Sequence, residues 1–384
     1  MSSILYKYNF EQLPDPLTEF EKNVAKLELI RYIENPKEFY KETAYLKKVD
    51  QKTTYYYRFS KLKSRKQVRG SGYLTHGFDF YHGSFHGQMI RGLINYCNLE
   101  ESSIILDPFC GSGTTLIESK LLRFNSIGID INPIACLNTK VKTELLDTPI
   151  NYLLSNNKKF LDLIYYERNY PLKINFQEFL NSNIQELFYV FLYTRAISDE
   201  FYISKNKKQA FIDNFLKIIH VLKNFEKLKK KIELRLGKSQ IFFNDSIMQL
   251  EQLESDTIDA IITSPPYINL IDYIRMDIHQ IISLITLDNI KFLRKNLIGR
   301  DLKHQKITEK LYWQKIDIIF KELHRILKFN RNFIIVIGDY RNMKENFINI
   351  AKNNKFFIER VLKREVINHK NKRKFEYVLF LKKL

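Results

Sequence analysis

Three apolar residues, Ile104, Ile105 and Leu106, run into Asp107-Pro108 and then a short glycine-containing loop, Phe109-Cys110-Gly111-Ser112-Gly113. Residues 114–122 carry apolar side chains at helical spacing, and a second apolar run, 126–129, stops at Asp130 before Asn132-Pro133 opens another helix. Strand, tight loop, helix and strand in this order make a βαβ unit, whose two strands must be parallel and whose crossover is right-handed. No other stretch restricts the fold as much. It predicts an open, mostly parallel, twisted α/β sheet, in which ligands gather outside the carboxyl ends of the strands.

The ends of the later strands agree with that placement. Residues 241–243 are apolar and stop at Asn244-Asp245; residues 258–262, apolar but for Asp259, stop at Thr263-Ser264-Pro265-Pro266-Tyr267. Neither proline has a backbone N–H, so pairing ends there, and two fixed φ angles stiffen the loop. Asp107, Asp130, Asp245 and Ser264 are therefore expected to share one cleft. An acid about twenty residues beyond a glycine turn is where a ribose hydroxyl is usually bound, so the expected ligand contains a nucleoside. The glycines do not spell G-x-G-x-x-G, and the Asp107 carboxylate would repel a pyrophosphate. A cationic ligand fits better, and S-adenosyl-L-methionine carries both a sulfonium and an ammonium.

Elsewhere the chain is less explicit. Lys and Arg number 62 against 43 Asp and Glu, a formal charge of +19 with a pI near 9.5, which points to a polyanionic partner, nucleic acid first. No run has the length of a transmembrane helix and the N-terminus lacks the apolar core of a signal peptide, so a soluble, cytoplasmic protein is expected. Cys97, Cys110 and Cys136 show neither paired nor C-x-x-C spacing and read as buried thiols. His82 and His86 lie among glycines with no third ligand, so no metal is expected. The chain divides into four segments: a helical N-terminal layer over 1–75, a cofactor-binding half over 76–136, a helical insertion over 137–237, and a catalytic half over 238–384 that closes with an antiparallel hairpin. Two stretches concentrate positive charge: residues 47–69, with nine Lys or Arg against one acid, and residues 205–235, with ten against three.

Asp107-Pro108-Phe109-Cys110-Gly111-Ser112-Gly113-Thr114-Thr115 and Ser264-Pro265-Pro266-Tyr267 together resemble the cofactor and catalytic loops of S-adenosylmethionine-dependent DNA amino-methyltransferases, which alkylate cytosine N4 or adenine N6. The resemblance implies a Rossmann-like class I methyltransferase fold. It implies that Phe85, Asp107, Pro108, Phe109, Gly111, Gly113 and Thr114 surround the cofactor, with Asp130 on its ribose and Asp245 by its adenine. Ser264, Pro265, Pro266 and Tyr267 would be catalytic: the serine hydroxyl and the Pro265 carbonyl hold the amine hydrogens, and the tyrosine stacks on a base flipped out of double-stranded DNA. Serine in the first position favours cytosine N4 over adenine N6. The same resemblance places target recognition in variable insertions, of which 137–237 is the leading candidate, and brings with it a restriction–modification setting with a cognate endonuclease. An RNA base methyltransferase and a catalytically inactive nucleic-acid-binding homologue are the alternatives.

Overall fold

The computed structural model describes residues 48–49, 52–53, 74–79, 84–155, 176–231, 233–268, 272–285, 287–298, 305–367 and 373–384. Most of the first basic stretch and nearly all of the expected N-terminal layer lie outside them. Seven strands form one sheet: β1 (Ile104–Asp107), β2 (Asn125–Asp130), β3 (Ser239–Phe243), β4 (Ile258–Thr263), β5 (Leu327–Gly338), β6 (Phe356–Ile367) and β7 (Arg373–Lys383). Their spatial order is β3-β2-β1-β4-β5-β7-β6. Every neighbouring pair is parallel except the two that β7 makes, with β5 and with β6. This is the expected Rossmann-like class I arrangement, with the hairpin β6–β7 closing one side and β7 inserted as the one reversed strand. The order turns back between β1 and β4, so a crevice opens beyond their carboxyl ends.

Local sequence explains the helices around that crevice. α1 (Gly87–Tyr96) leads into β1, and α2 (Thr114–Leu121) joins β1 to β2. α2 begins at Gly113, whose left-handed backbone (φ 76°) glycine adopts without the clash a Cβ brings. α3 (Pro133–Glu144) follows β2; Asn132 caps it by accepting the Ile134 amide at 3.0 Å, and Pro133 fills the first turn, where no amide is needed. After α4 (Ile150–Leu154) and α5 (Phe176–Phe179) come two long helices, α6 (Ile184–Ile203) and α7 (Lys207–Lys231). Between β3 and β4 lies α8 (Ser246–Glu251). Between β4 and β5 lie α9 (Tyr273–Met276), α10 (Ile278–Leu284), α11 (Leu287–Asn296) and α12 (Gln305–Ile326), and α13 (Met343–Asn353) links β5 to β6.

The core has three parts. α1 buries Met89, Ile90, Leu93 and Ile94 against Ile105, Ala260, Ile262, Ile334 and Val378 of one sheet face. α12 and α13 bury Ile316, Phe320, Leu323 and Phe347 against Leu106, Ile261, Phe333 and Leu379 of the other. The third part joins α3 to α6, α7 and α10 through Leu137, Val141, Phe188, Phe191, Ile218 and Ile281. The expected start of the insertion, residue 137, falls inside α3, which packs on β3 as the crossover helix of the sheet. Among the described residues, the additional helical block begins at α4, and it shares its hydrophobic interior with the sheet layer. No helix among the described residues is long and apolar enough to cross a membrane. The three cysteines are free and buried.

Candidate active site

At the end of β1, Asp107 is 1% exposed. Its Oδ1 accepts the Phe109 amide at 3.2 Å and the Thr263 hydroxyl at 2.6 Å. Burial pushes the carboxyl up to about 6, although both donors favour its charged form. Because Thr263 ends β4 and precedes Ser264, this bond ties the first strand's acid to the loop of the fourth strand. Asp130, half-buried at the end of β2, accepts the Gly111 amide on Oδ2 and the Asn132 amide on Oδ1, each at 2.8 Å, and burial raises it too, to about 6. Asp245 caps α8 by accepting the amides of Ile247 and Met248, and the neighbouring Ser246 hydroxyl donates to the Pro108 carbonyl at 2.7 Å.

The glycine loop is held from behind. A Cβ on Gly113 would lie 2.6 Å from both Oγ1 and Cγ2 of Thr139, while the Thr139 hydroxyl donates to the Gly111 carbonyl at 2.8 Å. The Lys142 ammonium donates to the Ser112 carbonyl at 2.5 Å and to Asp79 at 2.8 Å, with both side chains buried. A second buried group supports α2: Glu118 receives the Arg91 Nε at 2.7 Å and meets the His76 ring at 2.8 Å. Burial alone would raise Glu118, but Arg91 and His76 outweigh it and hold the carboxyl at about 2. Burial in turn lowers His76.

In the loop after β4, Pro265 is buried and Ser264, Pro266 and Tyr267 are partly exposed. The Tyr267 ring rests where β5 ends in Gly338: a Cβ there would come within 3.6 Å of Tyr267 Cζ. Phe85, Asp107, Phe109, Gly111, Thr114, Asp130, Asp245, Ser264, Pro265, Pro266 and Tyr267 all line one cavity of about 460 Å³. Pro108 and Gly113 do not line it. Pro108 offers its carbonyl to Ser246, and Gly113 starts α2.

The cavity also takes in residues that the sequence reading missed: Asn132, Ser246, Tyr273, Asn296, Val336 and Glu376. Ser246 and Asn132 sit beside predicted acids and could have been found as helix caps. Val336 and Glu376 carried no signal, since they reach the site only because β5 and β7 are neighbours, with Gly338 opposite Glu376. Four carboxylates line the space, from Asp107, Asp130, Asp245 and Glu376, and no lysine or arginine is among its described lining residues. Such a surface repels a pyrophosphate and suits a ligand with positive charge. Among the described residues no cluster of His, Cys, Asp and Glu is arranged to hold a metal.

Residues 5–140 match the family described as DNA methylase. That match covers about a third of the chain. The match takes in the N-terminal stretch and ends before β3, so the Ser264 loop lies beyond it. Type II methyltransferase M.BsoBI of Geobacillus stearothermophilus is 24% identical over 257 residues, covering 52% of this chain and 50% of its own length. Type II methyltransferase M.MjaII of Methanocaldococcus jannaschii is 26% identical over 163 residues, 41% of this chain and 28% of its own length. A shorter segment of 53 residues, 14% of this chain and 15% of the relative, is 40% identical to the tRNA (guanine(10)-N2)-dimethyltransferase of Methanocaldococcus jannaschii. The chain thus spans half or less of the length of these relatives.

Proposed function

We propose that this chain is an S-adenosyl-L-methionine-dependent DNA methyltransferase acting on the exocyclic amine of a flipped base, with cytosine N4 favoured over adenine N6. The observation that carries the reading is the single cavity in which three acidic strand ends meet Ser264-Pro265-Pro266-Tyr267 without any described lysine or arginine. Its volume of about 460 Å³ lies within the usual range for a small-molecule site. The residues fit the cofactor: Asp107 for its charged methionine end, Asp130 for the ribose, and Asp245 with Ser246 at the adenine end.

When bound, the cofactor supplies a methyl group on a positively charged sulfur that leaves as a neutral thioether. The protein's part is to orient the acceptor. An exocyclic amine is a weak nucleophile because its lone pair is delocalised into the ring. The Ser264 hydroxyl and the Pro265 carbonyl are two acceptors fixed by the prolines; by holding the two amine hydrogens they favour a pyramidal nitrogen. Tyr267, braced at Gly338, offers a ring for the flipped base to stack on. The work is positioning and exclusion of water, with no covalent intermediate on the protein; the surplus proton of the methylated nitrogen is lost to solvent.

Double-stranded DNA is the proposed partner, cytoplasmic and nucleoid-associated, in a restriction–modification setting with a cognate endonuclease; the Type II relatives and the +19 charge support this. The test is to incubate the protein with unmethylated genomic DNA and labelled cofactor, then identify the modified nucleoside and its sequence context. N4-methylcytosine is expected. N6-methyladenine would move the acceptor to adenine, and label entering RNA but not DNA would favour the RNA reading that the 53-residue segment supports. Ser264→Ala and Tyr267→Ala are each expected to lower transfer by orders of magnitude while cofactor affinity, measured by calorimetry, is kept.

A further inference from the structure

The helical block ends its first long helix in an unusual way for a water-facing tip. The last three residues of α6, Phe201, Tyr202 and Ile203, are exposed by 55%, 55% and 64%. Ser204 then turns the chain with φ 52°, and α7 starts at Lys207. Single exposed apolar residues are ordinary, but three in a row, with Ile282 of α10 also half exposed, form a patch that calls for a partner.

Two contacts of the tip, and one between its neighbours, set it beside the cavity. The Tyr202 hydroxyl donates to the Met276 carbonyl of α9, and Tyr273 of the same helix lines the cavity. One residue further on, Asp277 accepts the Asn132 side chain at 2.6 Å, and Asn132 lines the cavity as well. The Phe201 ring lies against the ring of His279 of α10, with centroids 3.5 Å apart. Around the tip the charge is mostly positive: Lys207, Lys208 and the exposed Arg275 stand beside it, against an exposed Glu200; Lys205 is paired with Asp213. An apolar patch set among cations suits a stacked, polyanionic surface better than a second protein or a lipid.

We propose that Phe201 and Ile203 form a wedge that enters the base stack of duplex DNA next to the target, filling the place that the flipped base leaves. Lys207, Lys208 and Arg275 bear on the flanking phosphates, and Tyr202 anchors the tip to the segment that comes after the catalytic loop. Apolar side chains that part base steps do this elsewhere by offsetting lost stacking with their own contact. The inference rests on the proposed DNA methyltransferase activity and adds which surface opens the duplex.

The test uses the full chain and two oligonucleotides carrying the mapped target sequence: a fully paired duplex, and one in which the target base faces an abasic position and is already unpaired. Phe201→Ala and Ile203→Ala, alone and together, are compared with wild type for methyl transfer and for the fluorescence of 2-aminopurine placed at the target. Loss of the wedge is expected to slow transfer on the paired duplex by at least about tenfold, because unstacking a step costs a few kcal/mol. The 2-aminopurine signal should fall with it, and the rate on the abasic-opposed substrate should stay near wild type. Equal losses on both substrates, or none on the paired duplex, would overturn the wedge while leaving the enzymatic reading intact. Wild type that methylates neither oligonucleotide would overturn both.

Discussion

Replacing Asp107 by asparagine separates what the site costs the fold from what it offers the ligand. The carboxyl is buried at the end of β1 and titrates at about 6 instead of the ordinary 3.8. The folded protein therefore holds the proton more tightly than the unfolded chain, and between about pH 4 and pH 6 the wild type loses stability as pH rises. A difference of about 2 units at 1.36 kcal/mol each puts the loss near 3 kcal/mol as a ceiling, fully developed above about pH 6. Asparagine keeps an acceptor for Thr263 and Phe109 but carries no charge, so it escapes the loss. Urea denaturation of both proteins without ligand, at several values from about pH 4 to pH 7, measures the gap. Asp107→Asn should gain on wild type across that interval, by up to roughly 3 kcal/mol at neutral pH, and calorimetry should show weakened cofactor binding. A gap that does not change with pH would refute the idea that Asp107 is a desolvated acid held in reserve for a cation. Undiminished cofactor affinity in the variant would remove Asp107 from the ligand's surroundings.

The same contacts set other outcomes. Thr263→Val keeps the shape of β4 but removes the 2.6 Å bond to Asp107; a buried bond to a charged group contributes about 1.5–3 kcal/mol, and denaturation at neutral pH should show a loss of that order together with slower methyl transfer. Gly113→Ala places a methyl 2.6 Å from Thr139 in a left-handed backbone; the conformation alone costs roughly 1–2 kcal/mol, so thermal unfolding should occur at lower temperature and cofactor affinity should fall. Glu118→Gln leaves the buried Arg91 and His76 without their acid, and breaking such a pair costs about 3–5 kcal/mol in denaturant. Glu118 is held at about 2 in the fold; its contribution is thus full above the carboxylate's unfolded value and fades as pH falls towards about 2. Binding to duplex DNA should weaken steeply with salt, by about one power of salt concentration for each phosphate neutralised, and a flat response in a filter or anisotropy assay would dismiss the lysine-rich α7 as the contact.

The fold and the middle of the site were legible because strand ends carry local marks. Asp107, Asp130 and Asp245 each close an apolar run, and the glycine loop and the Pro265-Pro266 pair interrupt the chain in ways that few structures allow. What the sequence did not disclose is long-range. Thr263 looked like the last residue of a strand, and only the parallel pairing of β1 with β4 brings its hydroxyl to Asp107 across 156 residues. Glu376 sits in a run that reads as ordinary closing strand, and it reaches the cavity because β7 passes between β5 and β6. The expected boundary at 137 cut α3 because the helix has no break there: its apolar side chains serve the sheet layer and the helical block alike, and a pattern shared by two layers shows no seam.

That shared interior also bears on how such a molecule can change. Leu137 and Val141 of α3, Phe188 and Phe191 of α6 and Ile281 of α10 belong to one continuous cluster. Cutting out the block between α4 and α7 and grafting another in its place would strip the inward faces of α3 and α10 and expose large apolar surfaces on both. The block is therefore not an interchangeable cassette. New outward properties of α6 and α7 have to arise by substituting solvent-facing residues one at a time, with the buried stripe kept.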